Sequence, residues 1–184
     1  MAADPPLRLF SADDIAAHLD GLAGLLQACI MAGASIGFIM PHAYEDSEAF
    51  WIRKVLPALR DGSRLLLVAK RDDVIAGSVQ LDYDTPANQP HRAEIRKLLV
   101  HPDFRRQGIA RALMAEIELH AIRLRRSLIT LDTRTGDGAE PLYRSLGYQT
   151  TGIIPGYCRD TLTDRLDATT IMYKNLHVHE PVTD

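Results

Sequence analysis

Apolar residues change their spacing several times along this chain, and each change marks a new element. Ile95, Leu98, Leu99 and Val100 form a short aliphatic run that stops at His101-Pro102, where proline offers no donor to a continuing ladder. That run reads as a strand. From Gly108 the spacing turns to three and four: Ile109, Leu113, Ile117, Ala121 and Leu124 make one apolar helix face. Glu116, Glu118, Arg123 and Arg125 fall mostly on the other face. Between strand and helix lies Arg105-Arg106-Gln107-Gly108-Ile109-Ala110, a basic turn that opens into a helix N-terminus.

The same reading extends over the whole chain. Leu7 to Phe10 predicts an edge strand, and Ser11 caps a helix whose buried face runs Ile15, Leu19, Leu22, Leu25, Leu26 and Ile30, ending near Gly33. Ala34 to Tyr44, with Gly37 and Pro41, reads as a loop. Asp46 to Leu59 predicts a second helix that Pro57 kinks or shortens. Arg64 to Lys70 and Val74 to Tyr83 predict a hairpin turning at Arg71-Asp72-Asp73. After the loop Asp84 to Pro90 and the central strand and helix come Ser127 to Asp132, a strand ending in a carboxylate, and the loop Thr133 to Gly138. A short helix follows, with Pro141 in its first turn and Leu142, Tyr143 and Leu146 as its apolar positions, stopping at Gly147. Tyr148 to Ile154 and Ala168 to Lys174 predict the last two strands, joined by Pro155-Gly156-Tyr157 and a polar loop. The order β α α β β β α β α β β describes a mixed sheet of about seven strands with helices on its faces.

Composition narrows the class without naming a function. With 184 residues and 46% hydrophobic content, residues 1–184 read as a single domain able to bury one core, with residues 1–6 and 177–184 as flexible ends. A charged fraction of 24% and a net charge of -3 argue against a nucleic-acid surface. No 18-residue apolar stretch marks a membrane span, and MAADPPLRLF lacks a signal pattern, so the chain reads as cytoplasmic. Cys29 and Cys158, widely separated, fit a reduced compartment better than a disulfide framework. His177 and His179 lie in a polar tail without a third ligand, so no metal is expected.

The basic turn carries the most specific chemistry. Unpaired N–H groups and the positive end of a helix dipole suit a phosphate or pyrophosphate, and Gly108 lets a ligand approach the backbone. No Gly-Lys-Ser/Thr follows, as a nucleotide P-loop requires, and no Gly-x-Gly-x-x-Gly is present. Arg105, Gly108 and Ala110 instead resemble motif A of the GNAT acyltransferases. Ala139, Leu142, Tyr143, Gly147 and Tyr148 resemble a second motif of that family. One position departs from it: Gly136 stands where an Asn that often contacts the cofactor is common. More narrowly, Gly33 to Phe38, Leu131-Asp132-Thr133 and Pro155-Gly156-Tyr157-Cys158 resemble the tabtoxin-resistance acetyltransferases, which act on a small amino-acid-like toxin.

The resemblance implies the GNAT fold, a mostly antiparallel sheet with helices on both faces, and acetyl-CoA as co-substrate. It places Leu98, Leu99 and Val100 along the pantetheine arm. It places Arg105, Arg106, Gln107, Gly108, Ile109, Ala110 and Arg111 at the pyrophosphate, and Tyr143 beside the sulfur as general acid. The amine nucleophile needs a base to take its proton; Asp132 ranks first and Glu94 second. Ser35, Phe38, Asp132 and Tyr157 are candidates for the acceptor pocket. An acyl-enzyme on Cys158 lacks a placed base. The function implied is acetylation of a small-molecule amine in a ternary complex. A non-catalytic acyl-CoA-binding module and a protein-amine acetyltransferase stay open as alternatives, and a homodimer is allowed.

Overall fold

The computed structural model describes residues 6–177, so the expectation for flexible ends falls mainly outside the described residues. Within them, β1 (Leu7–Phe10), β2 (Arg64–Arg71), β3 (Val74–Asp82), β4 (Arg92–Val100), β5 (Leu128–Arg134), β6 (Gln149–Arg159) and β7 (Leu166–Asn175) form one sheet. Their order is β1-β2-β3-β4-β5-β7-β6. Only β4 and β5 pair in parallel; the other neighbours are antiparallel. The expected mixed α/β fold with a mostly antiparallel seven-stranded sheet is therefore what the chain adopts. No helix is long and apolar enough to cross a membrane among the described residues.

Helices cover both faces because strand side chains alternate and both sets are apolar. On one face α1 (Ala12–Ala17), α2 (Leu19–Met31), α3 (Tyr44–Phe50) and α4 (Leu56–Arg60) enclose Leu22, Leu26, Trp51, Leu66 and Val68. On the other, α5 (Ile109–Arg123) and α6 (Ala139–Ser145) pack Ile109, Leu113, Ile117 and Tyr143 against Leu67, Val79 and Ile95. Ser11 caps α1 through a capping box with Asp14. The single helix expected from Ser11 to Gly33 is broken at His18, whose φ of -126° leaves the helical region. The break sets the His18 ring against Lys70 of β2, Nε2 to Nζ 3.0 Å. The helix expected over Asp46 to Leu59 starts earlier, at Tyr44, and widens into a π turn at Trp51–Val55 just before Pro57. Proline has no N–H for the regular ladder, which accounts for a local change of winding there.

Two features of the sheet shape the site. The β4–β5 ladder is short, pairing only Arg92 with Leu128, Ala93 with Ile129 and Glu94 with Thr130, so the strands part beyond it. The second is a bulge in β4. Gln80 opposes Arg96 while Ser78 opposes Leu99, so β4 holds one extra residue there, and Lys97 takes a φ of 50°. The extra residue flips the alternation: Ile95 packs with the α5 side, whereas Leu99 packs with the α2 side. Gly77 on β3 completes the mount. A Cβ there would lie 2.8 Å from the Leu99 carbonyl oxygen and 2.9 Å from Ile109 Cγ2. Its absence lets the start of α5 sit directly on the sheet.

β6 corrects one expectation. Pro155-Gly156-Tyr157, read as a joint between strands, lies inside β6, and the register with β7 shifts between Ile154 and Cys158. β6 is an edge strand of the sheet, where a missing N–H and a bulge are tolerated.

Candidate active site

Where β4 leaves β5, the sheet opens into a cleft of about 1050 Å³. One end lies at the start of α5. No side chain caps this helix, and its first backbone bond runs from Ala112 N to the Gly108 carbonyl at 3.0 Å. The amides of Ile109, Ala110 and Arg111 therefore have no partner within the helix. Gly108 has a φ of 83° and faces open space, with nothing within 4 Å of a Cβ built there. Arg106 is also left-handed, with a φ of 63°. Two left-handed residues thus bend the backbone beside open space and two exposed guanidinium groups. This donor set fits a pyrophosphate. Arg105 is additionally anchored, its Nε donating to the Val100 carbonyl at 3.4 Å.

The middle of the cleft runs along Leu98 and Val100 and meets Tyr143 on α6. Tyr143 is only 6% exposed and stacks edge-on with Tyr148, ring centroids 5.8 Å apart. Burial, then the negative charges of Asp132 and Asp137, push its phenol above the ordinary tyrosine value, so the group stays protonated. Asp132 lines the cleft from the β5 side and is held by Thr169, whose hydroxyl donates to Oδ2 at 3.2 Å. Glu94 lines it from β4 and accepts from Arg96 Nε at 3.0 Å.

The far end is closed by the segment from Ala34 to Met40. Lys97 Nζ donates to the Ile36 carbonyl at 2.6 Å from the β4 side. From the other side Thr161 Oγ1 donates to the Ala34 carbonyl at 2.8 Å, and Met40 N donates to the Thr161 carbonyl at 2.9 Å. Thr161 lies in the turn between β6 and β7, so the segment is tied to both walls. Ser35 Oγ lies 3.6 Å from Cys158 Sγ, another link to β6. A smaller polar depression of about 320 Å³ shares Glu94 and Arg96 with the cleft.

A sequence model of the acetyltransferase (GNAT) family matches residues 33–148, which includes the turn, α5, α6 and the Asp132 strand. This chain belongs to that family. An uncharacterised N-acetyltransferase from the hisH-hisA intergenic region of Azospirillum brasilense is 33% identical over 114 residues, 61% of this chain and 66% of the relative. An acetyltransferase from Pectobacterium atrosepticum is 38% identical over 91 residues, 49% of this chain and 61% of the relative. The chain thus spans just under two thirds of the curated relatives it matches. Among solved structures, yncA from Salmonella typhimurium, determined with its cofactor acetyl-CoA, superposes with a TM-score of 0.75 at 18% identity, covering 98% of this chain and 99% of that one. The ribosomal-protein-alanine N-acetyltransferase from Brucella melitensis gives 0.75 at 22% identity, covering 93% and 99%. These likenesses establish the GNAT fold.

Within this GNAT cleft, most residues singled out from the sequence come together. Leu98, Val100, Arg105, Arg106, Gly108, Ile109, Ala110, Arg111, Asp132, Glu94, Tyr143, Ser35, Phe38 and Tyr157 all line it. Leu99 and Gln107 do not: the Leu99 side chain is buried beneath α2, and Gln107 Nε2 turns back to the Asp103 carbonyl. Arg111 is engaged with α6, its guanidinium donating to Ser145 Oγ at 2.8 Å. Gly136, in the place of the common Asn, donates its N–H to buried Glu140 at 2.9 Å. His179 lies outside the described residues. Sequence reasoning passed over Thr169, which orients Asp132, and Lys97. Thr169 carries no signal beyond strand composition, and Lys97 enters the cleft only through a bulge that spacing does not reveal.

Proposed function

We propose that this protein transfers an acetyl group from acetyl-CoA to the amine of a small molecule, directly, in a ternary complex. The observation that carries the reading is the parting of β4 from β5. It leaves β4 backbone groups outside the ladder between an uncapped helix start at one end and Asp132, Glu94 and Tyr143 beyond it. Acetyl-CoA supplies an activated acetyl thioester. The chain's own residues do the rest. The amides from Gly108 to Arg111 with Arg105 and Arg106 hold the pyrophosphate, and β4 from Leu98 to Val100 aligns the pantetheine arm. A fixed backbone N–H at Leu99 or Val100 polarises the carbonyl, an effect worth ~3 kcal/mol in comparable sites. Asp132, oriented by Thr169, accepts the proton of the amine, with Glu94 as second candidate. Neutral Tyr143 gives its proton to the departing sulfur.

A small acceptor is favoured over a protein chain because Ala34 to Met40, fastened to both walls, closes the end that an extended peptide would need open. Ser35, Phe38 and Tyr157, in segments similar to the tabtoxin-resistance branch, supply the pocket walls, and an amino-acid-like acceptor fits this arrangement. Thiol release measured over a broad amine panel tests the reading. Turnover with small amines supports it. Tight acetyl-CoA binding with no turnover on any amine would instead favour an acyl-CoA-binding module.

A further inference from the structure

Lys97 is a cleft cation that the fold places at a conformational cost inside a strand, away from the α5 turn. Its φ of 50° is a left-handed conformation that L side chains rarely adopt, and such positions concentrate where function requires them. The bulge turns the side chain toward the segment from Ala34 to Met40. There Nζ donates to the Ile36 carbonyl and lies 5.7 Å and 6.0 Å from the ring centres of Phe38 and Phe50. An ammonium has three donors, and among the described residues no carboxylate comes within 4.0 Å of this one. Away from the α5 turn, the other cation side chains of the cleft are paired with carboxylates: Arg134 with Asp137, Asp160 and Asp167, Arg96 with Glu94 and Asp82, and Arg159 with Asp164. An ammonium drawn out of water is stabilised by a paired negative charge. We propose that Lys97 is a specificity-determining residue, and that the acceptor itself brings the carboxylate that pairs with it in direct contact, carried a few bonds from the amine that is acetylated.

The charge layout of the cleft matches a bipolar acceptor. Asp132 and Glu94 face an incoming ammonium, while Lys97 stands at the closed end by Phe38. Burial, followed by the positive charge of Arg96, holds the Lys97 ammonium below its ordinary value against the opposing pull of Asp132 and Glu94, and a carboxylate bound in direct contact would raise it again. The same cation repels a second positive charge, so diamines are disfavoured. Pairing through Lys97 also draws on the residue that fastens Ile36, which links recognition of the anion to the wall of the pocket.

The inference rests on the acetyl-transfer reading, and a paired-acceptor experiment separates the two. Wild-type protein with acetyl-CoA is given α-amino acids, β-alanine and γ-aminobutyrate, each beside its own amide. Amidation lowers the pKa of an α-amine, which makes the amide the better free nucleophile near neutrality. A preference for the acid therefore reports on the pocket. The acid is expected to win by about 10- to 100-fold in kcat/KM, the usual size of a charged hydrogen bond. Lys97→Gln brings the ratio toward one, Lys97→Glu inverts it, and Lys97→Arg keeps it above one. These shifts in ratio are not expected of a merely structural lysine. Turnover with no preference in wild type, or a preference unchanged in Lys97→Gln, overturns the inference and leaves the transferase reading standing. If nothing is acetylated, the transferase reading falls, and the melting midpoint with CoA plus each acid or amide becomes the readout. An acid-specific rise lost in Lys97→Gln then upholds the Lys97 site, whereas equal or absent shifts overturn it.

Discussion

The two ends of the cleft are built by different means. At the α5 end the cleft is lined by backbone on one contiguous strand, turn and helix, from β4 to α5. At the Lys97 end they are side chains delivered by distant segments: Ser35 and Phe38 from the loop, Lys97 from the β4 bulge, Asp132 from β5, Tyr157 from β6. Backbone presentation needs only local chemistry, a glycine able to take a φ of 83° and an uncapped helix. Side-chain presentation needs the whole sheet in register. One end is suited to a ligand shared across a family, and the other to an acceptor particular to the chain.

Substitutions that touch only one end break or sharpen this contrast. The largest effect is expected between the ends, at Tyr143. Removal of the hydroxyl in Tyr143→Phe should lower kcat by about 100-fold or more while the acetyl-CoA-induced rise in melting midpoint persists. Because the Tyr143 phenol is held above its ordinary value, it stays protonated beyond the working range. An alkaline limb in the wild-type rate profile should therefore survive in a partly active Tyr143→Phe enzyme. A second effect belongs to the α5 end. Gly77→Ala places a methyl against the Leu99 carbonyl and Ile109, and should cost about 1–3 kcal/mol in urea unfolding, with weaker acetyl-CoA binding. Unchanged stability would mean that α5 has room to move on the sheet. The smallest effect is expected from Phe38→Ala at the other end: a few-fold higher KM for the amine, about 1 kcal/mol, with the acetyl-CoA response intact.

The contrast also explains what could be read from the chain. The strand, turn and helix around Gly108 were legible because their signals are local: an aliphatic run ended by Pro102, a switch of period, a glycine before the helix. Gly108, Arg105 and Arg106 line the cleft. Lys97 was hidden because the bulge that turns it inward arises from the pairing of β4 with β3, and alternation alone would assign Ile95, Lys97 and Leu99 to one face. Thr169 was hidden because its partner Asp132 lies 37 residues away on the neighbouring strand. Pro155 to Tyr157 were misread as a joint because an edge position, which excuses a proline, is a property of the sheet order. No breaker residue stands at the His18 break, which sets the ring against Lys70 on β2.

The central claim is that the turn before α5 holds acetyl-CoA through its backbone, and a melt of wild type and Gly108→Val with and without acetyl-CoA tests it most directly. A ligand at ~100 times its Kd adds ~2.7 kcal/mol, or about 5–10 °C for a domain of this size. The account predicts that rise in wild type and its loss in Gly108→Val, whose branched side chain would fill the open concavity from a left-handed backbone. A rise of equal size in both proteins would contradict it.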